Sequence, residues 1–245
     1  MASLRNIGLS LAESDQLAIG IMGDYSHTWT ALQPGGHIDV DSGRGGLYAT
    51  WFHHGIYLNG AIYGGHNTFD SSRASLGGLA TGGTEGAEWS TFISLGYDFH
   101  CGQLTVGPIA ALQYTDAQVD GFSEKGSLAP LDIHSGSAES LRSDVGFRLF
   151  YQWQIGKVVL EPSIRAAWEH EYKYSALPIT AGFAGIPGPS ATFFGPSEGH
   201  DSAVVSAGLS VQWTPSVTLY VNYDGQLGRD NYDSNAVTGG VRIGF

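Results

Sequence analysis

Histidine and acidic residues lie together in two Gly- and Pro-rich tracts, where such side chains can activate water for hydrolysis. The tract GHDS (199–202) places His200 next to Asp201, and LDIH (131–134) places Asp132 two residues before His134. A histidine beside a carboxylate is a common general base. Two loosely spaced pairs do not define a catalytic centre, so a hydrolytic enzyme remains only an alternative for this sequence.

The remaining histidines and the single cysteine do not form a metal site in the sequence. His53 and His54 are adjacent, so on a regular strand they point to opposite faces. His170 lies between Glu169 and Glu171 without the three or four convergent ligands that zinc needs. Cys101 is alone, which excludes an internal disulfide. We therefore expect no metal and no cofactor.

Composition excludes two further classes of protein. The net charge is −12 with only 11 basic residues, which argues against a nucleic-acid partner. Charged residues make up 14% of the chain, below the roughly 25% of soluble domains. No run approaches the ~18 apolar residues of a membrane helix. The first sixteen residues also lack the basic leader and apolar stretch of a signal peptide.

Alternation with a period of two residues recurs along the whole chain and predicts strands. In one ribbon Val145, Phe147 and Leu149 alternate with Asp144, Gly146 and Arg148. The same pattern predicts eleven strands, at about 4–12, 16–30, 38–53, 56–70, 86–100, 103–119, 141–155, 157–174, 202–214, 216–227 and 234–245. No linker or composition break divides residues 1–245, which predicts one domain.

Short and long connections alternate between these strands. Tight turns such as HCGQ (100–103) and IGK (155–157) alternate with long Gly-, Pro- and Ser-rich tracts near 31–37, 71–85, 120–138, 175–201 and 228–233. Short turns at one edge and long loops at the other are typical of bacterial outer-membrane barrels. Strands of ten residues or more also fit a tilted membrane span of about 9–11 residues. The pattern predicts an all-β, antiparallel, up-and-down transmembrane barrel.

One face of the strands carries charges of both signs, which predicts a water-filled lumen. The predicted lumen-lining residues are Arg142, Asp144, Arg148, Glu161, Arg165, Glu169, Asp224 and Arg242. The opposite, apolar face is expected to contact outer-membrane lipids. Aromatic residues near strand ends predict an interfacial girdle of Trp153, Trp168, Trp213, Phe99, Tyr57 and Tyr97. A soluble barrel with an apolar interior and solvated charges outside is the alternative.

The chain ends in VTGGVRIGF, whose apolar residues Val237, Val241, Ile243 and Phe245 share one face. Arg242 lies on the other face. An odd count of eleven strands conflicts with the even number in bacterial barrels. We therefore expect a parent barrel of twelve strands, with one ascending strand preceding this chain.

Several segments, in order along nearly the whole chain, resemble the translocator β-domain of bacterial autotransporters. The most specific is the final hairpin, YVNYDGQLGRDNYDSNAVTGGVRIGF (220–245). IGLSLAESDQLAIGI and LAIGIMGDYSHT resemble an early turn and strand, and SDVGFRLFYQW with EPSIRAAWEHEY resembles a middle hairpin. The family's first strand, its lumenal linker helix and a passenger have no counterpart here.

The resemblance implies a monomeric, non-enzymatic outer-membrane pore of type V secretion in a Gram-negative bacterium. Such a pore helps to export and anchor an N-terminal passenger polypeptide, with the barrel-assembly machinery as partner. It also implies that Val237, Val241, Ile243 and Phe245 form the assembly signal, with Phe245 as its anchor. A free-standing porin or adhesin barrel, and an outer-membrane protease-like barrel, are the alternatives.

Overall fold

The chain folds as an all-β protein with no long connecting helix between its strands in the part that is described. The computed structural model describes residues 5–12, 15–174, 178–186, 188–195, 199–230 and 232–243. The strands are β1 (Arg5–Ala12), β2 (Asp15–Ala31), β3 (Gly36–His53), β4 (Ile56–Ser75), β5 (Gly78–Tyr97), β6 (Phe99–Cys101), β7 (Leu104–Val119), β8 (Phe122–Ser123), β9 (Leu131–Ile133), β10 (Gly136–Tyr151), β11 (Trp153–Ile155), β12 (Val158–Tyr174), β13 (Ile179–Phe183), β14 (Ala191–Phe193), β15 (Asp201–Thr214), β16 (Val217–Arg229) and β17 (Tyr232–Ile243). In the described ranges, no helix is long and apolar enough to cross a membrane.

Eleven long strands follow one another in a single antiparallel sheet. Their order is β1-β2-β3-β4-β5-β7-β10-β12-β15-β16-β17, so neighbours along the chain are neighbours in the sheet. The short strands β6 and β11 extend the sheet beside β7 and β12. This up-and-down arrangement confirms the predicted all-β antiparallel class. Within the described residues, β1 and β17 are the two edges of the sheet.

The strands β4 and β5 are longer than a membrane span and extend beyond it at one end. β4 and β5 have 20 residues each, against the about 9–11 that a tilted membrane strand needs. They pair without interruption from Ile56 with Tyr97 to Ser75 with Gly78. The prediction of a long loop at 71–85 is therefore wrong. Gly78, Gly82 and Gly83 of this tract belong to β5, because its backbone pairs continuously with β4, and Gly77 lies in the turn between the two strands.

The tracts 120–138 and 175–201 contain a second, small sheet with the order β14-β13-β9-β8. It is attached to the projecting end of β4 and β5 through an isolated bridge between Thr81 and Lys125. Arg73 of β4 also forms two hydrogen bonds with Glu124, at 2.8 and 2.6 Å. The long connections at this end are thus partly built of regular structure instead of open loop.

The sheet curls, because side chains on one face reach strands that are not neighbours. Arg44 of β3 pairs with Glu88 of β5, across β4. The guanidinium of Arg148 on β10 lies 3.5 Å from the ring centroid of Tyr57 on β4, across two intervening strands. Adjacent strands are about 4.8 Å apart, so such contacts require a concave face on which side chains converge.

The distribution of polarity is the reverse of that in a soluble domain. Large apolar side chains are exposed on the convex face, among them Ile21 at 61%, Ile62 at 53% and Ile164 at 53%. The buried side chains include the polar residues Ser42, Asn67, Ser72, Ser90, Glu124, Glu169, Glu171, Ser202 and Arg229. This arrangement excludes the soluble alternative with an apolar interior, since the apolar band would face water.

Tyrosine rings on the concave face fill the space above glycines of neighbouring strands. Tyr57 is 4% exposed and lies over its register partner Gly96, so that a Cβ at Gly96 would overlap the Tyr57 hydroxyl. Tyr48 covers Gly20 on the adjacent strand in the same way. The prediction that Tyr57 belongs to an interfacial girdle is therefore wrong. Glycine at these positions lets an aromatic ring lie flat against the sheet.

Candidate functional site

The register places all eight predicted lumen-lining residues on one face of the sheet. Residues directly opposite in an antiparallel pair share a face, and every second residue along a strand returns to it. Arg148 pairs with Arg165, which pairs with Ser206, which pairs with Asp224. The other five predicted residues share this face, because each lies an even number of positions along its strand from one of these residues or from the residue paired with it. They are Arg142, Asp144, Glu161, Glu169 and Arg242.

One charged group lies near the end of the sheet that carries the short turns. Arg148 donates two hydrogen bonds to Asp98, from Nε at 3.0 Å and from Nη2 at 2.7 Å. The Asp98 side chain is only 10% exposed. The guanidinium also stacks over the ring of Tyr57. A bidentate pair of this kind fixes the orientation of the arginine as well as neutralising it.

A second group lies farther along β10 and β12, towards the long connections. Arg165 donates to Asp144 at 2.6 Å. Arg142 lies 3.8 Å from Glu169 and 3.7 Å from Glu171. The Glu169 carboxylate also accepts hydrogen bonds from Ser202 and Gln226, at 3.2 and 2.5 Å. The structure therefore brings five of the predicted residues into two ion-pair clusters.

Three predicted residues do not join these clusters. Glu161 accepts a hydrogen bond from Gln152 at 3.1 Å, and Asp224 accepts one from Ser206 at 2.5 Å. Arg242 is exposed on the last strand, opposite Thr218. Arg148 and Arg165 instead pair with two aspartates, Asp98 and Asp144.

Two deeply buried members of the second group were not predicted. Arg229 Nη2 donates to Glu171 Oε2 at 3.1 Å, and both side chains are at most 5% exposed. Alternation on β16 assigns Arg229 to the opposite face, but a bulge between Gln226 and Arg229 reverses its direction. Glu171 has the same parity as Glu169 on β12, so strand alternation alone was sufficient to find it.

The last strand exposes its apolar residues on the convex face. Val237, Val241 and Ile243 are 75%, 58% and 65% exposed. Phe245 lies outside the described residues. Girdle residues expected on this face are also exposed, including Trp153 at 56% and Trp213 at 64%. A continuous exposed apolar face is the surface that a lipid environment requires.

His170 pairs with a carboxylate near the outer ends of β12 and β15. Asp201 accepts from Trp168 Nε1 at 3.0 Å and lies 2.8 Å from His170 Nδ1. The hydrogen bond with His170 is the main cause that lowers the pKa of Asp201, at the loop end of β15. Among the described residues, no group of three His, Cys, Asp or Glu side chains is placed to hold a metal ion.

His53 and His54 depart from the geometry that the sequence predicts. His54 has a φ of 47° in the turn after β3, which is the left-handed region. The two rings therefore meet with centroids 4.2 Å apart, and His54 Nδ1 lies 2.8 Å from His53 Nε2. The expectation that they point to opposite faces fails because the second residue is in a turn and not in a strand.

An antiparallel curled sheet with a polar concave face, an apolar convex face and short turns at one end defines the class of outer-membrane β-barrels. The sequence matches the family described as "Autotransporter beta-domain" over residues 6–224. The chain belongs to this family. It is the translocator domain that exports a passenger domain, and it resides in the bacterial outer membrane.

Solved structures of this family have the same fold. The β domain of the Bordetella autotransporter BrkA superimposes with a TM-score of 0.70 and 18% identity, covering 98% of this chain and 87% of that one. The translocator domain of NalP from Neisseria meningitidis gives a TM-score of 0.70 and 18% identity over 100% and 80% of the two chains. These likenesses confirm the predicted fold class. The family match over residues 6–224 confirms the expectation of a translocator domain, which is not catalytic.

Curated relatives are much longer than this chain. An "Extracellular serine protease" of Serratia marcescens is 26% identical over 254 residues, covering 98% of this chain and 23% of the relative. "Esterase EstA" of Pseudomonas aeruginosa is 27% identical over 184 residues, or 71% of this chain and 28% of the relative. The chain thus spans about a quarter of the length of these relatives.

Proposed function

We propose that the polar concave face of this domain forms the hydrated path along which a passenger polypeptide crosses the outer membrane. The observation that carries this proposal is that the eight predicted lumen residues share that face while the opposite face is apolar. The lumen-lining residues are Arg142, Asp144, Arg148, Glu161, Arg165, Glu169, Asp224 and Arg242. The passenger itself and its activity lie outside this chain.

The pairing of charges supports a path rather than a binding site. Arg148 is neutralised by Asp98, Arg165 by Asp144, and Arg229 by Glu171. A moving polypeptide therefore meets hydrogen-bonding groups without a large field of one sign, which would hold oppositely charged segments. Serine and glycine between these pairs leave space for backbone to pass.

Photo-crosslinking from two adjacent residues of β16 tests this path. Asn222 lies on the concave face beside Gly208, and Val221 is 47% exposed on the convex face. A photoreactive phenylalanine at each position is introduced into the full-length protein while the passenger is stalled during export. We expect passenger adducts from position 222 and none from position 221. Equal adducts from both, or none from 222, would contradict the proposed path.

We further propose that the sheet closes through one additional strand, between its two edges. Backbone groups left unpaired in lipid cost several kcal/mol each. β1 and β17 carry such groups along 8 and 12 residues. Cysteines placed on this strand and on β17 in the full-length protein would form a disulfide. A disulfide formed instead between β1 and β17 would show direct closure.

The last strand is proposed to be the signal recognised by the barrel-assembly machinery, with Val237, Val241, Ile243 and Phe245 as its apolar face. Three of these side chains are among the most exposed on the convex face. Removal of Phe245 is expected to reduce outer-membrane assembly, whereas Phe245→Trp, which keeps an aromatic terminus, is expected to retain it. The measurement is the heat-modifiable fraction in isolated outer membranes. Unchanged assembly after the deletion would refute this role.

We also propose that the domain acts as a monomer, since the apolar side chains on the described part of the convex face are satisfied by lipid alone. Chemical crosslinking in native outer membranes is expected to give one band at the size of the single protein. A defined dimer band would contradict this expectation.

A further inference from the structure

A groove of about 530 Å³ interrupts the convex face where β10, β12, β15 and β16 lie side by side. It results from an alternation of large and small side chains across the strands. In one row, Trp168 pairs with Ala203, and Ala203 pairs with Leu227. In the next row, Phe147 pairs with Ala166. The two alanines form the floor, and the three large side chains form the walls.

The walls are formed by side chains that stand out from the sheet. Phe147, Trp168 and Leu227 are 49%, 53% and 42% exposed. Its volume lies within the ~300–1,000 Å³ of ordinary small-molecule sites. Almost all of the lining is apolar, because the side chains between the strands are those of Ala, Val, Leu, Phe and Trp. An apolar chain is therefore the chemical class of ligand that fits.

The groove has a polar edge at one end only. Asp201 begins β15 there and accepts from Trp168 Nε1, while His170 lies 2.8 Å from the same carboxylate. Trp168 is the eleventh residue of β12, counted from the short turn, so it stands where a span of about 9–11 residues ends. The apolar floor thus lies within the membrane, and the polar edge lies at the outer headgroup layer.

We propose that this groove binds one acyl chain of an outer-membrane lipid. The groove is continuous with the lipid-facing surface of a domain that resides in the outer membrane, so a lipid is the molecule adjacent to it. The orientation agrees, since the chain would lie over Ala203 and Ala166 with the head group beside Asp201. The inference does not depend on the proposed passenger path, which uses the opposite face.

Fluorescence quenching by a brominated lipid provides the test, because Trp168 is part of the wall. The other five tryptophans of the chain are replaced by phenylalanine, and the protein is held in dodecyl maltoside micelles. A phospholipid with brominated acyl chains is added in small amounts. We expect quenching of Trp168 to saturate near one lipid per protein. A variant that keeps only Trp213, which does not line the groove, should be quenched only in proportion to the lipid content of the micelle.

Two substitutions on β15 form a matched pair. Ala203→Phe fills the floor of the groove, whereas Ala207→Phe adds the same ring on the same face outside it. The saturating phase should be lost in A203F and kept in A207F. Native mass spectrometry of the unaltered protein and of A203F, with all tryptophans present, should show one retained phospholipid only in the former.

Two results would overturn the proposal. One is quenching of Trp168 that rises in proportion to lipid content in every variant, without a saturating phase. The other is a dimer of the unaltered protein that A203F converts to a monomer, because the groove would then hold a second copy of the chain.

Discussion

The ion pair between Arg73 and Glu124 is expected to hold the small outer sheet on the projecting hairpin of β4 and β5. Glu124 is buried, with 3% of its side chain exposed, and accepts two hydrogen bonds from Arg73. Glu124 also accepts a hydrogen bond from the backbone N–H of Leu131, at 2.9 Å. Replacing Glu124 with Gln keeps the shape of the side chain but leaves Arg73 without its counter-charge.

The stability cost of Glu124→Gln follows from the burial of Arg73 and Glu124. Removing one member of a fully buried pair costs about 3–5 kcal/mol. Here 32% of the Arg73 side chain is exposed, so water compensates for part of the loss. Glutamine also retains an acceptor for the Leu131 N–H. We therefore expect a cost of about 2 kcal/mol, which lies within the range for a hydrogen bond to a charged group and below that for a fully buried pair.

Native-state amide exchange measures this cost locally. The amides of Lys125 and Leu128 bond to Thr81 O and Leu76 O, at 2.9 and 2.8 Å. If the segment opens more easily by 2 kcal/mol, these two amides exchange roughly 30-fold faster in E124Q, since each 1.4 kcal/mol is a factor of ten. Amides in the membrane part of β7 and β10 should not change, because the segment opens independently of the barrel.

The control is Glu85→Gln on β5. Glu85 is 66% exposed and lies 3.6 Å from His66, so its loss should have little effect on exchange anywhere. The reasoning is refuted if Lys125 and Leu128 exchange at the same rate in E124Q as in the unaltered protein. It is refuted equally if barrel amides accelerate to the same extent, since the pair would then stabilise the whole domain.

Two further predictions concern the concave face and the outer rim. Gly96→Ala should lower the free energy of unfolding by about 1–3 kcal/mol, because its methyl group overlaps the Tyr57 hydroxyl. Gly43→Ala should be tolerated, because a Cβ there meets nothing within 4 Å. The temperature at which heat-modifiable gel mobility is lost compares the two variants, and equal midpoints would contradict the packing argument. Asp41 lies outside the membrane span. A hydrogen bond from the Tyr25 hydroxyl is the main cause that lowers the pKa of Asp41, and a hydrogen bond with His27 is the second. The stabilisation that goes with this lowered pKa is present above the ordinary value of about 3.9 and is lost as pH falls through the folded-state pKa. Tyr25→Phe should therefore raise the Asp41 pKa in a carbon-13 NMR titration, and an unchanged midpoint would exclude Tyr25 as the main cause.

The sequence predicts strand number and strand facing well, because both follow from a period of two residues. Apolar residues assigned to the lipid side, such as Val145 of β10 and Val237 of β17, are exposed on the convex face. The same reasoning was sufficient to place Tyr57 on the polar face, since it shares parity with Asn59 and Tyr63 on β4. Tyr57 thus lies on the concave face although it is near a strand end, where aromatic residues often form a girdle.

Features that depend on pairing between distant segments were not predictable. The tract SLGGLATGGTEG reads as a loop because of its glycines, yet it forms much of β5 by pairing with β4. A bulge changes the facing of every residue beyond it, as it does for Arg229, and no side-chain pattern marks it. The partner of each charge is also set by curvature, which brings strands together that are far apart in the sequence.

Curvature and polarity of the concave face are linked by the reach of the charged side chains. Arg148 contacts Asp98 across β7, and Arg229 contacts Glu171 across β15. Strands two positions apart are about 10 Å apart in a flat sheet, and only on a concave face do their side-chain ends converge. Flattening the sheet would therefore separate the partners and leave buried charges unpaired. The charged lining of the proposed path thus also favours the curl that encloses it, and a neutral lining of the same size would lack this restraint.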